Sequence, residues 1–446
     1  MFWTKCIVFS IIFTGFVNSE KFAYVSVLSS NDFLLPAQVL AHRLKMLNDS
    51  IPYIIIVTQD INNDSISALQ NQGVQIQHDL KIDTPYLKTH RARKYQYTKI
   101  RLWQMTEFDV IAHLDLDVLP LENISSIFHC GDFCASFRHS DMFNSGVFVL
   151  KPNIEVFKDM EKHVQSMISY DGGDQGFLNT YFSDLKYSGM FNEYNLTRRC
   201  ENDKMSRLSA AFNYDIGMYY LNGGRFLVEP KIIHYTMGPT KPWFWWTYPV
   251  FDLNHYWFTA RLELDSEIGD NYLINCLRLV TFNVLFIAGF YAQKKVLEFI
   301  AADNMINENP SKFEKLAFCH FIYLFIIWFN FQITPNYAYP IPTWIFFSSN
   351  VAWMTTILIS TYTQIRFGNQ PSIFLFAGCI LLINLSHLMF YVTAAINPYF
   401  GKRALFGIAY LIIQHFIVSS YIRRFLIEKT RGKHVRYHRI PISRLE

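Results

Sequence analysis

The chain has 446 residues, more than one ordinary domain holds, so at least two parts are expected. Hydrophobic residues make up 51% and aromatic residues 17%, an excess that gathers in particular stretches rather than spreading evenly. The net charge of +4 is a tail property: residues 422–446 carry eight Lys/Arg and two Glu (+6), leaving the rest at −2, which excludes a global basic field for nucleic acid.

The N-terminus reads as a secretory signal. Lys5 precedes an apolar run from Cys6 to Val17, and Asn18-Ser19 offers small residues for cleavage, so 1–19 is the expected signal peptide. The segment that follows would then be lumenal, which suits the sequons at Asn48, Asn63, Asn123 and Asn195. Cys130, Cys134 and Cys200 allow one disulfide and one leftover thiol in an oxidising lumen, with the pair unassigned.

From residue 21 the pattern alternates. Stretches 21–28, 53–57 and 74–76 read as strands, 35–47 and 66–71 as helices, which predicts a mostly parallel sheet with helices on both faces. A further helix is expected between 95 and 108, presenting Ile100, Trp103 and Gln104. A short apolar strand at 110–114 then runs into Asp115-Leu116-Asp117. In an open α/β sheet ligands bind beyond the carboxyl ends of the strands, so two carboxylates there could hold a hard divalent cation against a diphosphate. No glycine-rich phosphate loop is present, so any phosphate must be met by a metal and side chains.

The order of several motifs carries a resemblance. Ser29-Ser30-Asn31-Asp32, Thr98-Lys99, His113-Leu114-Asp115-Leu116-Asp117, Phe143-Asn144-Ser145-Gly146, Asp171-Gly172-Gly173-Asp174-Gln175-Gly176 and His234 followed by Gly238-Pro239-Thr240-Lys241-Pro242-Trp243 resemble glycogenin and its relatives in glycosyltransferase family 8. The resemblance covers roughly residues 21–250. The step from His234 to Lys241 and the aromatic run after it look closer to the plant glucuronosyltransferases, and a catalytic domain followed by several apolar runs of membrane-span length further resembles their branch acting on inositol phosphorylceramide. No counterpart of glycogenin's self-glucosylated tyrosine segment is evident.

The resemblance implies a Rossmann-like, nucleotide-sugar-binding glycosyltransferase A fold over 20–262. It implies a retaining transfer from a UDP-sugar donor, with Asp115, Asp117 and His234 holding Mn²⁺ or another divalent cation. Lys241 and Lys99 would meet the donor's phosphates and sugar, Leu28, Ser30 and Asn31 would sit under the uridine, and Asn144, Asp174 and Gln175 would face the transferred sugar. Asp171 and Gly238 join the donor-binding set. On the residues alone, Asn144 could equally brace a turn with Gly146, and Asp171 could cap a helix. Arg91, Arg93, Lys94 and Arg138 are candidate cations for an acidic sugar. The intact metal and lysine set speaks against a catalytically inactive scaffold; transfer of a hexose to a glycan or protein is the alternative within the same class.

Past Trp243, aromatic residues crowd 243–248 and 256–258, and a membrane-facing belt beside the catalytic mouth is expected. Apolar runs at about 274–292, 316–332, 341–362, 373–395 and 404–422 predict an α-helical membrane domain of five spans over 263–422. The basic tail 423–446 would then be cytosolic and the acceptor a lipid in a Golgi or other secretory-pathway membrane. Lys402 and Arg403, in an expected lumenal loop, are the exception to the positive-inside pattern. The few ionisable groups in the runs argue against a transporter.

Overall fold

The computed structural model describes residues 20–86, 96–137, 140–194, 204–267, 312–367 and 373–396, with scattered positions in 277–284 and 399–420. The expected signal peptide, the basic tail, Arg91, Arg93, Lys94, Arg138, Asn195, Cys200 and nearly all of the first expected span lie outside the described residues.

Strands form where short apolar or β-branched runs stand between turn signals. In chain order they are β1 (Phe22–Leu28), β2 (Tyr53–Val57), β3 (Gln75–His78), β4 (Val110–Leu114) and β5 (Val118–Pro120). After these come β6 (Phe133–Phe137), β7 (Phe143–Leu150), β8 (Met205–Leu208), β9 (Tyr214–Asp215) and β10 (Ile232–His234). The helices are α1 (Leu34–Leu47), α2 (Asn63–Asn71), α3 (Ile154–His163), α4 (Asp174–Tyr181), α5 (Ile216–Leu221) and α6 (Asn254–Glu267), then α7 (Lys312–Ile333), α8 (Pro340–Phe367) and α9 (Ile373–Ile396). Side chains cap the starts: Asn62 accepts from Ser65 N at 2.8 Å ahead of α2, and Asn153 from Glu155 N at 2.9 Å ahead of α3.

Two compact units share the chain. One takes its described residues from 1–34, 44–116 and 122–213, the other from 35–43, 117–121 and 214–446. The first holds a seven-stranded sheet in the order β3-β2-β1-β4-β7-β6-β8. Its β3-β2-β1-β4 half is wholly parallel, with the strand order of a mononucleotide-binding half. The chain leaves β1 toward β2 on one side and returns as β4 on the other, so the switch point falls between the carboxyl ends of β1 and β4.

The sheet is mostly parallel, as expected, but mixed. β7 runs antiparallel to both β4 and β6. Only residues 138–142 separate β6 from β7, and a parallel return needs a crossover of roughly a dozen residues or more, so the connection closes as a hairpin. The helix expected before β4 is a 3-10 helix over Gln96–Gln104. Its threefold turn stacks Tyr97, Ile100 and Trp103 on one buried face. Trp103 lies flat on Phe148 and Phe182, with ring centroids 5.8 and 5.7 Å away, at the centre of the sheet-face core. Cys130 and Cys134 form a disulfide.

The second unit holds a small sheet, β5-β10-β9, and the C-terminal helices. Here two expectations fail. Among the described residues no helix is long and apolar enough to cross a membrane, so the five-span membrane domain is not the observed architecture. An apolar run of about twenty residues describes a helix packed inside a bundle as well as a span. α8 packs against both α7 and α9, and the three helices bury polar groups, among them Asn330, Thr334, Ser348, Asn350, Thr355 and Thr356. The aromatic run is not a membrane-facing belt either. Trp245 is 1% exposed and sits among Trp344, Phe347 and Phe331, while Trp243 and Trp257 are also buried. Burying so large a ring within its own unit gains more than leaving it at a surface.

Trp103→Ala is expected to cost about 3–5 kcal/mol of unfolding free energy, because it removes the ring on which three aromatic neighbours close. Trp328→Ala, at a position 57% exposed, should stay within about 0.5 kcal/mol of the parent in the same denaturant titration.

Candidate active site

In the first unit, the carboxyl ends of β1 and β4 lie side by side, with Val25 paired to His113. Leu28, the last residue of β1, is buried, and beyond it Ser30 caps the following 3-10 turn, accepting from Asp32 N at 3.3 Å. Asn31 ties that turn to the start of α2: its Nδ2 donates to Asp60 O at 3.2 Å, and its Oδ1 accepts from Asn62 N at 3.2 Å and Ser65 Oγ at 2.9 Å.

Beyond β4 stands Asp115. Lys99, carried on the 3-10 helix and only 7% exposed, reaches Asp115 Oδ1 and Asp174 Oδ2 at 2.8 Å each, and donates to Ser145 O at 3.3 Å. Burial alone would push the Lys99 ammonium down. The two carboxylates outweigh that and hold it well above its usual range, so it stays charged. Asp174 opens α4 at 3% exposure, where a helix N-terminus also favours a carboxylate. His113 is fully buried against Phe148 and sets its Nε2 3.1 Å from Asp115 Oδ1; burial holds its pKa below the ordinary value, with the Lys99 charge acting in the same direction.

Around this cluster the amides interlock. Asn144 Nδ2 donates to Gln175 Oε1 at 2.7 Å, Gln175 Nε2 donates to Tyr170 OH at 2.6 Å, and Asn213 Nδ2 donates to Asn144 Oδ1 at 2.9 Å. Asn144 Oδ1 also accepts from Gly146 N at 3.0 Å, so the turn-bracing reading of this residue holds as well. Asp171 serves the start of α4: its Oδ1 accepts from Gly173 N, Gly176 N and Ser169 Oγ at 3.0, 2.9 and 2.9 Å. The close fit requires glycine at 176, where a Cβ would stand 2.6 Å from that same oxygen.

The second unit builds its own group. β10 lies between β5 and β9, pairing His234 with Val118 on one side and Asp215 on the other. This register brings His234 Nε2 to 3.2 Å from Asp117 Oδ1. The other carboxylate oxygen of Asp117 accepts from Lys241 Nζ at 2.5 Å, and Lys241 also donates to Tyr235 O at 2.6 Å. Asp215 anchors the segment between His234 and Lys241, accepting from Thr236 Oγ1 at 2.5 Å and Gly217 N at 2.8 Å. Gly238 is exposed in a 3-10 turn, and a Cβ there would meet nothing within 4 Å.

Asp117 follows Asp115 by two residues, and with His234 these make a set of two carboxylates and one imidazole that could hold a metal ion. The chemistry of the set fits a borderline-hard divalent cation: oxygen donors lower the charge, and a single imidazole favours Mn²⁺ over an all-oxygen calcium cage.

The sequence reading left His113, Asn213, Asp215 and Tyr170 without a role. His113 was legible, since residues two apart on a strand share a face, and it precedes Asp115 by two. Asn213, Asp215 and Tyr170 carry no such local signal; each reaches the site through a contact made only in the folded chain.

Residues 135–247 match the family model described as glycosyl transferase family 8. The chain is 34% identical over 259 residues to inositol phosphorylceramide glucuronosyltransferase 1 of Arabidopsis thaliana, an alignment covering 56% of this chain and 48% of that protein. It is 27% identical over 349 residues to the putative glucuronosyltransferase PGSIP7 of the same plant, covering 76% and 70%. The chain thus spans about half the length of the first of these relatives. Among solved structures, galactosyltransferase LgtC in complex with donor and acceptor sugar analogs aligns at 14% identity and a TM-score of 0.40, over 54% of this chain and 95% of that one. The chain is therefore similar to glycosyl transferase family 8 through the stretch that carries Asn144, Asp171, Asp174, Gln175, His234, Gly238 and Lys241.

Proposed function

We propose that this chain is a glucuronosyltransferase, moving glucuronic acid from UDP-glucuronate to the headgroup of inositol phosphorylceramide. The observation that carries the reading is the pairing of carboxylates with one buried and one half-buried lysine. Lys99 lies 2.8 Å from both Asp115 and Asp174, and Lys241 lies 2.5 Å from Asp117, whose other oxygen faces His234. Such an arrangement suits a nucleotide diphosphate as the leaving group. The similarity to glucuronosyltransferases supports the sugar, and that to the inositol phosphorylceramide enzyme supports the acceptor.

Asp115, Asp117 and His234 would hold the divalent cation, preferably Mn²⁺, which when bound supplies positive charge to the departing diphosphate. Lys241, tied back to the Tyr235 carbonyl, keeps its ammonium at that end and meets the phosphate charge. Lys99 holds Asp115 and Asp174 in fixed orientation. The chain Asn213–Asn144–Gln175–Tyr170 fixes the amides that would hydrogen-bond the sugar hydroxyls, so their geometry is set before the substrate arrives. As the anomeric bond breaks, positive charge grows on the sugar and negative charge on the leaving group. Fixed carboxylates and ammonium groups then need no reorientation.

Three measurements test this reading. Chelation of divalent cations, or Asp117→Ala, should abolish nearly all transfer, and calorimetry should show the variant losing Mn²⁺ binding; full activity in chelator would sink the metal-dependent reading. Lys241→Met should lower kcat by about 10²-fold or more while leaving the melting temperature close to that of the parent. With UDP-glucuronate and Mn²⁺, product should form on inositol phosphorylceramide and not on ceramide or a soluble glycan; preference for UDP-glucose or for a glycan would replace this assignment with the hexosyl alternative.

A further inference from the structure

Within the second unit, Arg403 is a charged side chain with no ordinary reason to be buried. It is 2% exposed, yet its surroundings satisfy only part of the guanidinium. Nη2 lies 2.8 Å from Asp252 Oδ1, and the other Asp252 oxygen accepts from Tyr219 OH at 2.8 Å, so the counter-charge is shared with a hydroxyl. Nε and Nη2 are both buried and neither makes a directed hydrogen bond among the described residues, so the Asp252 contact is one of charge. A guanidinium carries five donors, and leaving donors unanswered away from water costs free energy unless something supplies an acceptor.

A cavity of about 190 Å³ opens beside it. Apart from Arg403, its lining is Phe390, Thr393, Phe406, Ala409 and Ile413, together with Gly407, so one cation stands in an otherwise almost wholly apolar recess. Lys402 follows the same backbone and is exposed, with its Nζ 4.8 Å from the Tyr399 ring. Among the described residues, Arg403 and Lys402 are adjacent cations and Asp252 is the carboxylate that meets Arg403. This pair was also the basic exception noted in the sequence, and the candidate active site makes no use of it.

We propose that this cavity binds a phosphodiester amphiphile, the anionic oxygen accepting from Arg403 and the adjoining aliphatic segment filling the recess. An inorganic anion would answer Arg403 but leave the apolar walls unmatched; a neutral lipid would fill the walls and leave Nε–H unanswered. Only a ligand with both parts meets both surfaces. The inference rests on the proposed phosphosphingolipid acceptor for its biological sense, and it assigns that class of molecule a recognition residue. It stands on its own as a binding statement, since no sugar donor or metal is involved.

Binding of dihexanoyl phosphatidylinositol, below its critical micelle concentration, to the full chain tests it by calorimetry against dihexanoylglycerol and inorganic phosphate. The phosphodiester should bind more tightly than either comparison, and Arg403→Gln should weaken it by about tenfold or more, as expected for a lost hydrogen bond to a charged group. Because Arg403→Gln also strips Asp252 of its partner, Ala409→Phe provides the second variant: it fills the recess, keeps the ion pair, and should weaken the phosphodiester with an unchanged melt. Equal affinity for the phosphodiester and the glycerol, phosphate binding as tightly as the amphiphile, or unaltered binding in a folded Ala409→Phe would each overturn the proposal. Glucuronosyl transfer that persists with no phosphodiester binding would reject this inference alone, whereas binding without any transfer would reject the enzymatic reading alone.

Discussion

The first unit depends on one buried cation between two carboxylates. Taking Lys99, Asp115 and Asp174 out of water costs several kcal/mol per ion, and that cost is offset only because the ammonium meets both carboxylates at 2.8 Å. A mispositioned partner would leave an uncompensated charge in the interior, which is far more costly than a lost surface pair. The ion cluster therefore fixes three pieces of chain at once: the 3-10 helix, the end of β4 and the start of α4. Everything nearby is arranged to keep those ends in place. Trp103 packs the 3-10 helix against the sheet, Asp171 gathers the amides that begin α4, and His113 braces Asp115 from beneath.

The second unit repeats the device with different parts. Asp117 is placed by backbone pairing, because Tyr235 N donates to Asp117 O and His234 lies opposite Val118. Lys241 then closes on the carboxylate from a short loop whose course is held by the Asp215–Thr236 bond. In both units a lysine is kept charged or anchored near a carboxylate, and in both the position of that lysine comes from packing and backbone hydrogen bonds rather than from the lysine's own flexible stem. Preorganisation of this kind is what electrostatic stabilisation of a leaving diphosphate demands.

Helices α7 to α9 illustrate how the same composition serves different physical ends. Apolar residues occur all round each helix, which by itself does not distinguish a span from a buried bundle. Asn330 donates to Ile326 O at 2.8 Å and Thr334 to Asn330 O at 2.6 Å, so these donors find acceptors along their own helix, whereas Asn330 Oδ1 and the Asn350 amide make no hydrogen bond among the described residues. The loop that carries Trp245 is held to α8 by Trp344, whose Nε1 donates to Tyr248 O at 2.9 Å.

Much of the fold was legible from residue order. The strands at 22–28, 53–57 and 110–114 and the helix at 34–47 follow from apolar runs and their punctuation, and the carboxylates of Asp115 and Asp117 from their place after a strand. Asn144 and Asp171 were readable only as alternatives, and both take the local role as well: one braces Gly146, the other caps α4. What tertiary structure alone decided is which distant groups meet. That β7 sits antiparallel between β4 and β6, that Lys99 lies between Asp115 and Asp174, that Trp245 turns inward, and that Arg403 is buried beside Asp252 all depend on contacts between segments far apart in the chain. Periodicity and spacing report which face of an element is apolar and which residues share it; they do not report which other element that face will meet, because that choice is made by the packing of the whole unit.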